Sequence, residues 1–417
     1  VDDGAGVTKL LFLANRFPYP THSGADIRTY NVWRELARDW NVEAIVLHNS
    51  AEDVPGLSME QRVAALSELG TVRVVPLEAQ RARTRMLAAH ARAFLHAEPY
   101  VNQVFGGPVF ADALEQHLAR TRYDVIHVDG ISLMHNFRGR PSSRVVLTHH
   151  NIESDLLDRR AAFVGNPVLS AYMRLQARRL RATEAYWAAR VAMNICVSRE
   201  DAVRLREIAP TAKLVEIPNA VDDSGAGPVA LGERRQGGLF VGGLNWFPNA
   251  DALAYYAQDI EPLFGAGAAA FPTTWVGKAG GAQVAEYAGH RSIRVVGHAP
   301  SLRPHTDAAR VFIAPLRVGG GTRLKILDAW AAGLPVVATA LACEGLGVTS
   351  GKELLIANTP DEFVNRVRQL VTDDRLWLAV ASHARARLQA DFSWAALGPR
   401  LRAHYAEVAG RAASGTG

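Results

Sequence analysis

The stretch Ala314-Pro315-Leu316-Arg317-Val318-Gly319-Gly320-Gly321-Thr322-Arg323-Leu324-Lys325-Ile326-Leu327-Asp328-Ala329-Trp330-Ala331-Ala332-Gly333-Leu334-Pro335-Val336-Val337-Ala338-Thr339 decides the fold. An apolar run ends in three glycines, a helical pattern follows from near Thr322 to Gly333, and a second apolar run opens on Pro335. Strand, glycine loop, helix and strand make the repeating unit of a parallel α/β sheet. The glycines let a backbone approach a ligand, and free N–H groups of Gly321 and Thr322 at a helix start suit a phosphate. Gly320 lies in the same loop. Arg323 and Lys325 add cations in the first turn. Lys325 and Asp328 are three apart and share a helix face, and a carboxylate placed there accepts hydroxyls of a sugar ring. The loop is neither GxxxxGK[ST] nor GxGxxG, which sets aside a Walker NTPase and a dinucleotide-dependent dehydrogenase.

The same rhythm extends in both directions. Short Val/Ile/Leu runs at 9–14, 42–47, 72–76, 125–128, 145–147, 191–197 and 214–217 read as buried parallel strands. Helical patterns at 24–38, 108–120 and 168–189 separate them. A Gly- and Asp-rich tract follows, and the rhythm restarts with strands at 239–241, 274–276, 293–296, 311–314, 335–338 and 354–356. Helices are expected at 249–264, 323–332, 360–371, 374–388 and 394–408. The chain therefore divides into an α/β domain at 1–217, a linker at 218–236, a second α/β domain at 237–391 and a closing helical segment at 392–417. Paired domains of this kind usually bind ligand in the cleft between them, at the carboxyl ends of the strands.

Composition narrows the function classes. Of 417 residues, 48% are apolar and 21% charged, which excludes a disordered chain or a coiled-coil rod. The net charge of +5 is too mild for a nucleic-acid binder. Cys196 and Cys343 lie in apolar contexts without partners at metal-ligand spacing and read as reduced core residues, so no metal site is expected. No apolar run reaches the ~20 residues of a membrane span. The acidic start Val1-Asp2-Asp3-Gly4 has no apolar signal region, so a cytoplasmic protein is expected.

Three further segments carry chemistry. Between the first strand and first helix lies Asn15-Arg16-Phe17-Pro18-Tyr19-Pro20-Thr21-His22-Ser23-Gly24-Ala25-Asp26, where Gly24 opens a helix whose free N–H groups favour an anion. Ser23 and Asp26 are taken as acceptor-side residues of this loop. In Val145-Val146-Leu147-Thr148-His149-His150-Asn151-Ile152-Glu153 a strand ends on two histidines, one expected at a site and the other in the core. In Leu239-Phe240-Val241-Gly242-Gly243-Leu244-Asn245-Trp246-Phe247-Pro248-Asn249 a strand ends in Gly-Gly, Asn249 reads as a helix N-cap, and Trp246 and Phe247 read as packing residues.

Taken in order, these segments resemble the retaining glycosyltransferases of family four, the group-one glycosyl transferases with the GT-B fold of two Rossmann-like doubly wound domains facing a cleft. Val197-Ser198-Arg199-Glu200-Asp201 and Ile217-Pro218-Asn219-Ala220-Val221-Asp222 complete the series, and the resemblance runs over nearly the whole chain. It implies transfer of a sugar from a nucleotide-diphosphate sugar to a hydroxyl acceptor with retention. The acceptor would be a polysaccharide, a lipid-linked glycan or a natural product. No metal or other cofactor is implied. The C-terminal domain would hold the nucleotide and the N-terminal domain the acceptor, with the last helix returning to the N-terminal domain. Gly24 matches the loop glycine near the donor phosphate, His150 the histidine at the transferring sugar, and Asp328 the ribose-binding acid. Gly242, Gly243, Gly320, Gly321 and Thr322 complete the donor side.

The chain departs from the family at three points. Gly320 stands where the first acid of the paired-acid motif is usual, Asp328 replaces a Glu, and Gly243 and Pro248 occupy positions usually Arg and Lys. Arg323 and Lys325 are inferred to take over the diphosphate, as in a subgroup carrying a Gly-Gly-Gly-Thr-Arg-Leu-Lys loop. With His150 they form the expected catalytic set. A non-catalytic GT-B partner subunit and a sugar-nucleotide epimerase are the competing readings. Arginine-rich helical stretches, Arg81, Arg83, Arg85 and Arg92, and Arg174, Arg178, Arg179 and Arg181, read first as solvated helix faces, with peripheral contact to anionic lipid at the inner face of a membrane, or attraction to a phosphorylated acceptor, as the sharper alternative.

Overall fold

The computed structural model describes residues 8–21, 23–50, 53, 56–77, 83–138, 143–223, 231, 235–265, 271–319 and 324–414. The chain divides into two compact units, Val1–Pro218 with Gly398–Gly417, and Asn219–Leu397.

The first unit is built on β1 (Lys9–Ala14), β2 (Asn41–His48), β3 (Thr71–Pro76), β4 (Val125–Asp129), β5 (Val145–His149), β6 (Met193–Cys196) and β7 (Leu214–Glu216). Among the described residues these form one parallel sheet in the order β3-β2-β1-β4-β5-β6-β7. β4, β5 and β6 are buried throughout, as expected of strands with helices on both faces, whereas the edge strands β3 and β7 are only part-buried. Strand order reverses between β1 and β4, so loops leaving their carboxyl ends flank a crevice. The helix Trp394–Ser414 returns to this unit and packs on the first helix, Gly24–Leu36. Arg402 Nη1 donates to the buried carboxylate of Glu35 at 2.5 Å, and a side chain at Gly398 would run into that carboxylate.

The second unit carries β8 (Gly238–Val241), β9 (Thr273–Val276), β10 (Ile293–Gly297), β11 (Val311–Ala314), β12 (Val336–Ala338) and β13 (Leu355–Ile356). These lie parallel in the order β10-β9-β8-β11-β12-β13, repeating the first unit's winding. Its reversal falls between β8 and β11. Phe240, Trp275, Phe312, Trp330 and Trp377 fill its core, with Phe240 stacked on Trp275 at 4.4 Å. Both units thus have the winding expected from sequence.

The departures are local. The pattern at 249–264 is not one helix: an α-helix, Phe247–Tyr255, passes into a π-helical turn, Tyr256–Ile260, and a 3-10 turn, Glu261–Phe264. Pro262 has no N–H to continue the α ladder. Asn249 is not the N-cap of this helix. Pro248 sets the chain at its first turn, the cap position falls to Trp246, and the Asn249 side chain is released for other contacts. Trp246 and Phe247 are exposed rather than packed, because that earlier start leaves them at the solvent end of the helix. The helix read at 323–332 is described from Leu324 to Ala331, and the final helix runs on to Ser414. Short polar helices such as Met59–Ser67 and Arg199–Ile208 each bury a single leucine, Leu66 and Leu205, too little to set a readable helical period in the sequence.

Candidate active site

At the reversal point of the first unit, β4 ends on Asp129, which is buried. Three elements converge on its carboxylate. Thr29, on the first helix, donates its hydroxyl to Oδ2 at 2.5 Å. His150, just past β5, places Nε2 2.8 Å from Oδ1. His127, two residues earlier on β4, holds Nε2 3.7 Å from Oδ1, a charge contact too long for a hydrogen bond. Burial of Asp129 favours its neutral form, but the charge and hydrogen bond of His150, with the nearby His127 ring, outweigh this. The carboxyl is held well below its usual range.

The two histidines of the pair have separate fates. His149 is buried against Asn194 Oδ1 at 3.0 Å, and burial pushes it down to about 4, so it is a neutral core residue. His150 keeps part of its ring accessible while Asp129 fixes its orientation. The network continues away from solvent: His127 Nδ1 lies 2.5 Å from the hydroxyl of Tyr405, on the returning C-terminal helix. Burial lowers His127 and raises Tyr405 well above its usual value, so Tyr405 keeps its proton and donates it to a neutral imidazole. Phe12 stacks on that imidazole at 4.1 Å. Arg28, also buried, donates to the carbonyls of Ile217 and Pro218 at 2.9 Å.

The loop after β1 is pinned rather than free. Arg62 donates to the carbonyl of Tyr19 at 2.9 Å and lies over the buried Phe17 ring at 4.5 Å. Ser23 and Asp26 are engaged with each other: Asp26 N–H donates to Ser23 Oγ at 3.2 Å, and Ser23 N–H to Asp26 Oδ2 at 2.9 Å. This is a capping box that fixes where the first helix starts. Gly24 is its exposed first residue.

In the second unit the loop leaving β8 forms a tight cradle. Gly242 adopts φ +157°, and a Cβ there would come within 2.8 Å of both Asn249 Nδ2 and Lys325 Nζ. Gly277, at φ +153°, presses on Gly242, so that a Cβ would meet the Gly242 carbonyl oxygen at 2.1 Å. Asn249 Nδ2 donates to the Gly243 carbonyl at 2.8 Å, and its Oδ1 accepts from Lys325 Nζ at 2.6 Å. The ammonium also sits 4.1 Å above the Phe240 ring. The sequence thus places a preoriented cation beside two backbone-exposing glycines. Asp328, one turn further along the helix Leu324–Ala331, is partly buried and pairs with no side chain among the described residues. Burial raises its carboxyl to about 7. Gly320, Gly321, Thr322 and Arg323 lie outside the described residues.

Sequence reading missed Asp129, Thr29, His127, Tyr405, Arg62 and the role of Asn249. An acid closing an apolar strand was a signal for Asp129. Tyr405 lies 278 residues from His127, and no local pattern joins them. Cys196 and Cys343 are both free and buried. Among the described residues no group of three His, Cys, Asp or Glu is placed to hold a metal ion, and no helix is long and apolar enough to cross a membrane.

Two doubly wound units of matching winding define the GT-B architecture. Solved structures with this fold include a sucrose-phosphate synthase from Thermosynechococcus elongatus, at 17% identity and TM-score 0.70 over 97% of this chain and 100% of that one. Anabaena HepE in complex with UDP and glucose matches at 14% identity and TM-score 0.63, over 97% and 100%. WaaG, a glycosyltransferase involved in lipopolysaccharide biosynthesis, matches at 13% identity and TM-score 0.64, over 95% and 99%. No curated protein matches the chain. Family models do: Glycosyltransferase Family 4 over residues 22–224 and Glycosyl transferases group 1 over residues 235–373. The chain belongs to the group 1, family 4 glycosyltransferases, and it is an enzyme of that kind.

Proposed function

We propose that this glycosyltransferase moves a sugar from a UDP-sugar to a hydroxyl acceptor, with retention and without a metal ion. The observation that carries the donor assignment is the Gly242–Asn249–Lys325 cradle, which fixes a cation beside exposed backbone. The uracil base is supported by HepE, whose structures hold UDP or UDP-glucose. In this reading the second unit binds the donor and the first unit the acceptor, which is a glycan, a lipid-linked glycan or a natural product.

Cleavage of the bond between the anomeric carbon and the diphosphate oxygen develops negative charge on the leaving phosphate. Lys325, already oriented by Asn249, stabilises that charge without reorganising, which is where a fixed donor contributes most. Gly320, Gly321, Thr322 and Arg323 would contribute N–H groups and a guanidinium to the same phosphates. Asp328 would accept hydrogen bonds from the ribose hydroxyls.

The acceptor oxygen bonds to the anomeric carbon on the face the diphosphate leaves. Its proton passes to the leaving phosphate oxygen, so no protein nucleophile is required. His150, held by Asp129, orients the transferring sugar. Loss of Asp129 would therefore impair turnover more than donor binding. A thermal-shift series of UDP, GDP, dTDP, ADP and their sugars in EDTA tests the donor assignment. Stabilisation by uridine nucleotides alone supports it, and selective stabilisation by another base, or a requirement for added divalent cation, overturns it.

A further inference from the structure

The helix Arg83–Leu95 is turned inside out relative to the usual rule. Its small residues Ala89 and Ala93 are buried at 4% and 0% exposure, while Leu87, Phe94 and Leu95 stand 64%, 61% and 78% exposed. Leu87, Ala91, Phe94 and Leu95 follow at i, i+4, i+7 and i+8, so they form one outward apolar face. Arg85 and Arg92, both exposed, border it, and none of the thirteen residues of this helix is acidic.

The face is held in place rather than loosely tethered. His90 stacks on Tyr100 at 3.7 Å, and its Nδ1 lies 2.6 Å from the Tyr172 hydroxyl. Arg179 Nη1 donates to the carbonyls of Ala93 and Glu98 at 2.9 and 3.2 Å. Tyr172 and Arg179 belong to the helix Pro167–Ala188, which carries exposed Arg174, Arg178 and Arg181. Its one acid, Glu184, is fully buried against Ser154. The neighbouring helix therefore adds positive charge to the surroundings of the apolar face and no exposed carboxylate of its own.

We infer that the outward face of helix Arg83–Leu95 docks the first unit on an anionic lipid bilayer, Leu87, Phe94 and Leu95 entering the interface and the arginines meeting lipid phosphates. An apolar stripe edged by arginine is the pattern of interfacial helices. A second copy of this chain fits less well, because neither this helix nor Pro167–Ala188 offers an exposed carboxylate to meet the mate's arginines.

The test is co-sedimentation of the full chain with vesicles of phosphatidylcholine alone, and with phosphatidylglycerol at roughly 30%. The expected result is binding to the anionic vesicles only, weakened by salt. Arg85→Gln with Arg92→Gln should lower vesicle partition ~25-fold, at about fivefold per arginine. Leu87→Ser with Phe94→Ser should lower it on the order of 100-fold. Thermal midpoints and far-UV circular dichroism of both variants should match the parent, since these side chains are exposed. If the apolar variant unfolds, the charge variant alone decides. No sedimentation at low salt, equal binding to neutral vesicles, or unchanged binding by a folded variant overturns the inference. So does self-association lost in the apolar variant without vesicle binding, which would assign the face to a homodimer.

Discussion

Asp328 should make the fold pay for the function, and Asp328→Asn separates the two. Burial raises this carboxyl from 3.8 to about 7 with no compensating partner among the described residues. A group whose folded value is raised binds extra protons in the folded state, so wild-type stability falls as pH rises from about 4 to about 7 and levels off above that. The full shift corresponds to roughly 4 kcal/mol when the group is ionised, and water reaching the partly buried carboxyl reduces this to about 2 kcal/mol. Asparagine keeps the shape without the charge. At pH 8 the variant's second unit should be more stable by about 2 kcal/mol, a rise of about 4–8 °C for a unit of this size. At pH 4 the two should coincide. The same change should weaken UDP binding about tenfold or more if, as proposed, Asp328 holds the ribose by charge-assisted hydrogen bonds. Differential scanning calorimetry at several pH values, with titration calorimetry at pH 8, measures both. A pH-independent difference in midpoint, or a wild-type advantage at pH 8, would refute the argument.

Lys325→Ala should weaken UDP binding about 10- to 150-fold, read by titration calorimetry, because it removes the cation fixed by Asn249. Asp129→Asn should lower kcat by about tenfold or more while leaving the UDP dissociation constant within about twofold, since it releases His150 rather than the donor. Asp129 is held below the unfolded carboxyl value of 3.8, so its contribution to stability is complete above that pH and is lost as pH falls below it. The first unit of Asp129→Asn should accordingly show a flatter acid-unfolding profile by circular dichroism. Gly277→Ala should destabilise the second unit by about 2 kcal/mol or more in urea unfolding, because its Cβ would meet the Gly242 carbonyl oxygen at 2.1 Å with φ at +153°.

Sequence patterning carried the sheets well, because a parallel strand covered on both faces is a continuous apolar run. β1 at Lys9–Ala14 and β11 at Val311–Ala314 fall where those runs do. Gly242 and Gly243 stood out because they follow directly on β8, and Lys325 because it lies in the first turn of the helix Leu324–Ala331; the structure brings Gly242 and Lys325 together. His150 could be named from its place after β5, but its distinction from His149 needed the partners, Asp129 for one and Asn194 for the other. Asn249 was misread as a cap because cap propensity is local, while its actual contacts, Gly243 and Lys325, are set by tertiary packing. The Asp129–His127–Tyr405 chain joins a strand end to the last helix, and nothing in local periodicity encodes such a meeting.

The most direct measurement is proton NMR of the enzyme with each of a set of α-linked UDP-sugars in EDTA, following release of UDP and the configuration of the sugar as it first appears. The account predicts metal-free release of UDP with the α anomer formed first, and slower release together with weaker UDP binding in Lys325→Ala. A β anomer formed first, or release only after divalent cation is added, would contradict it.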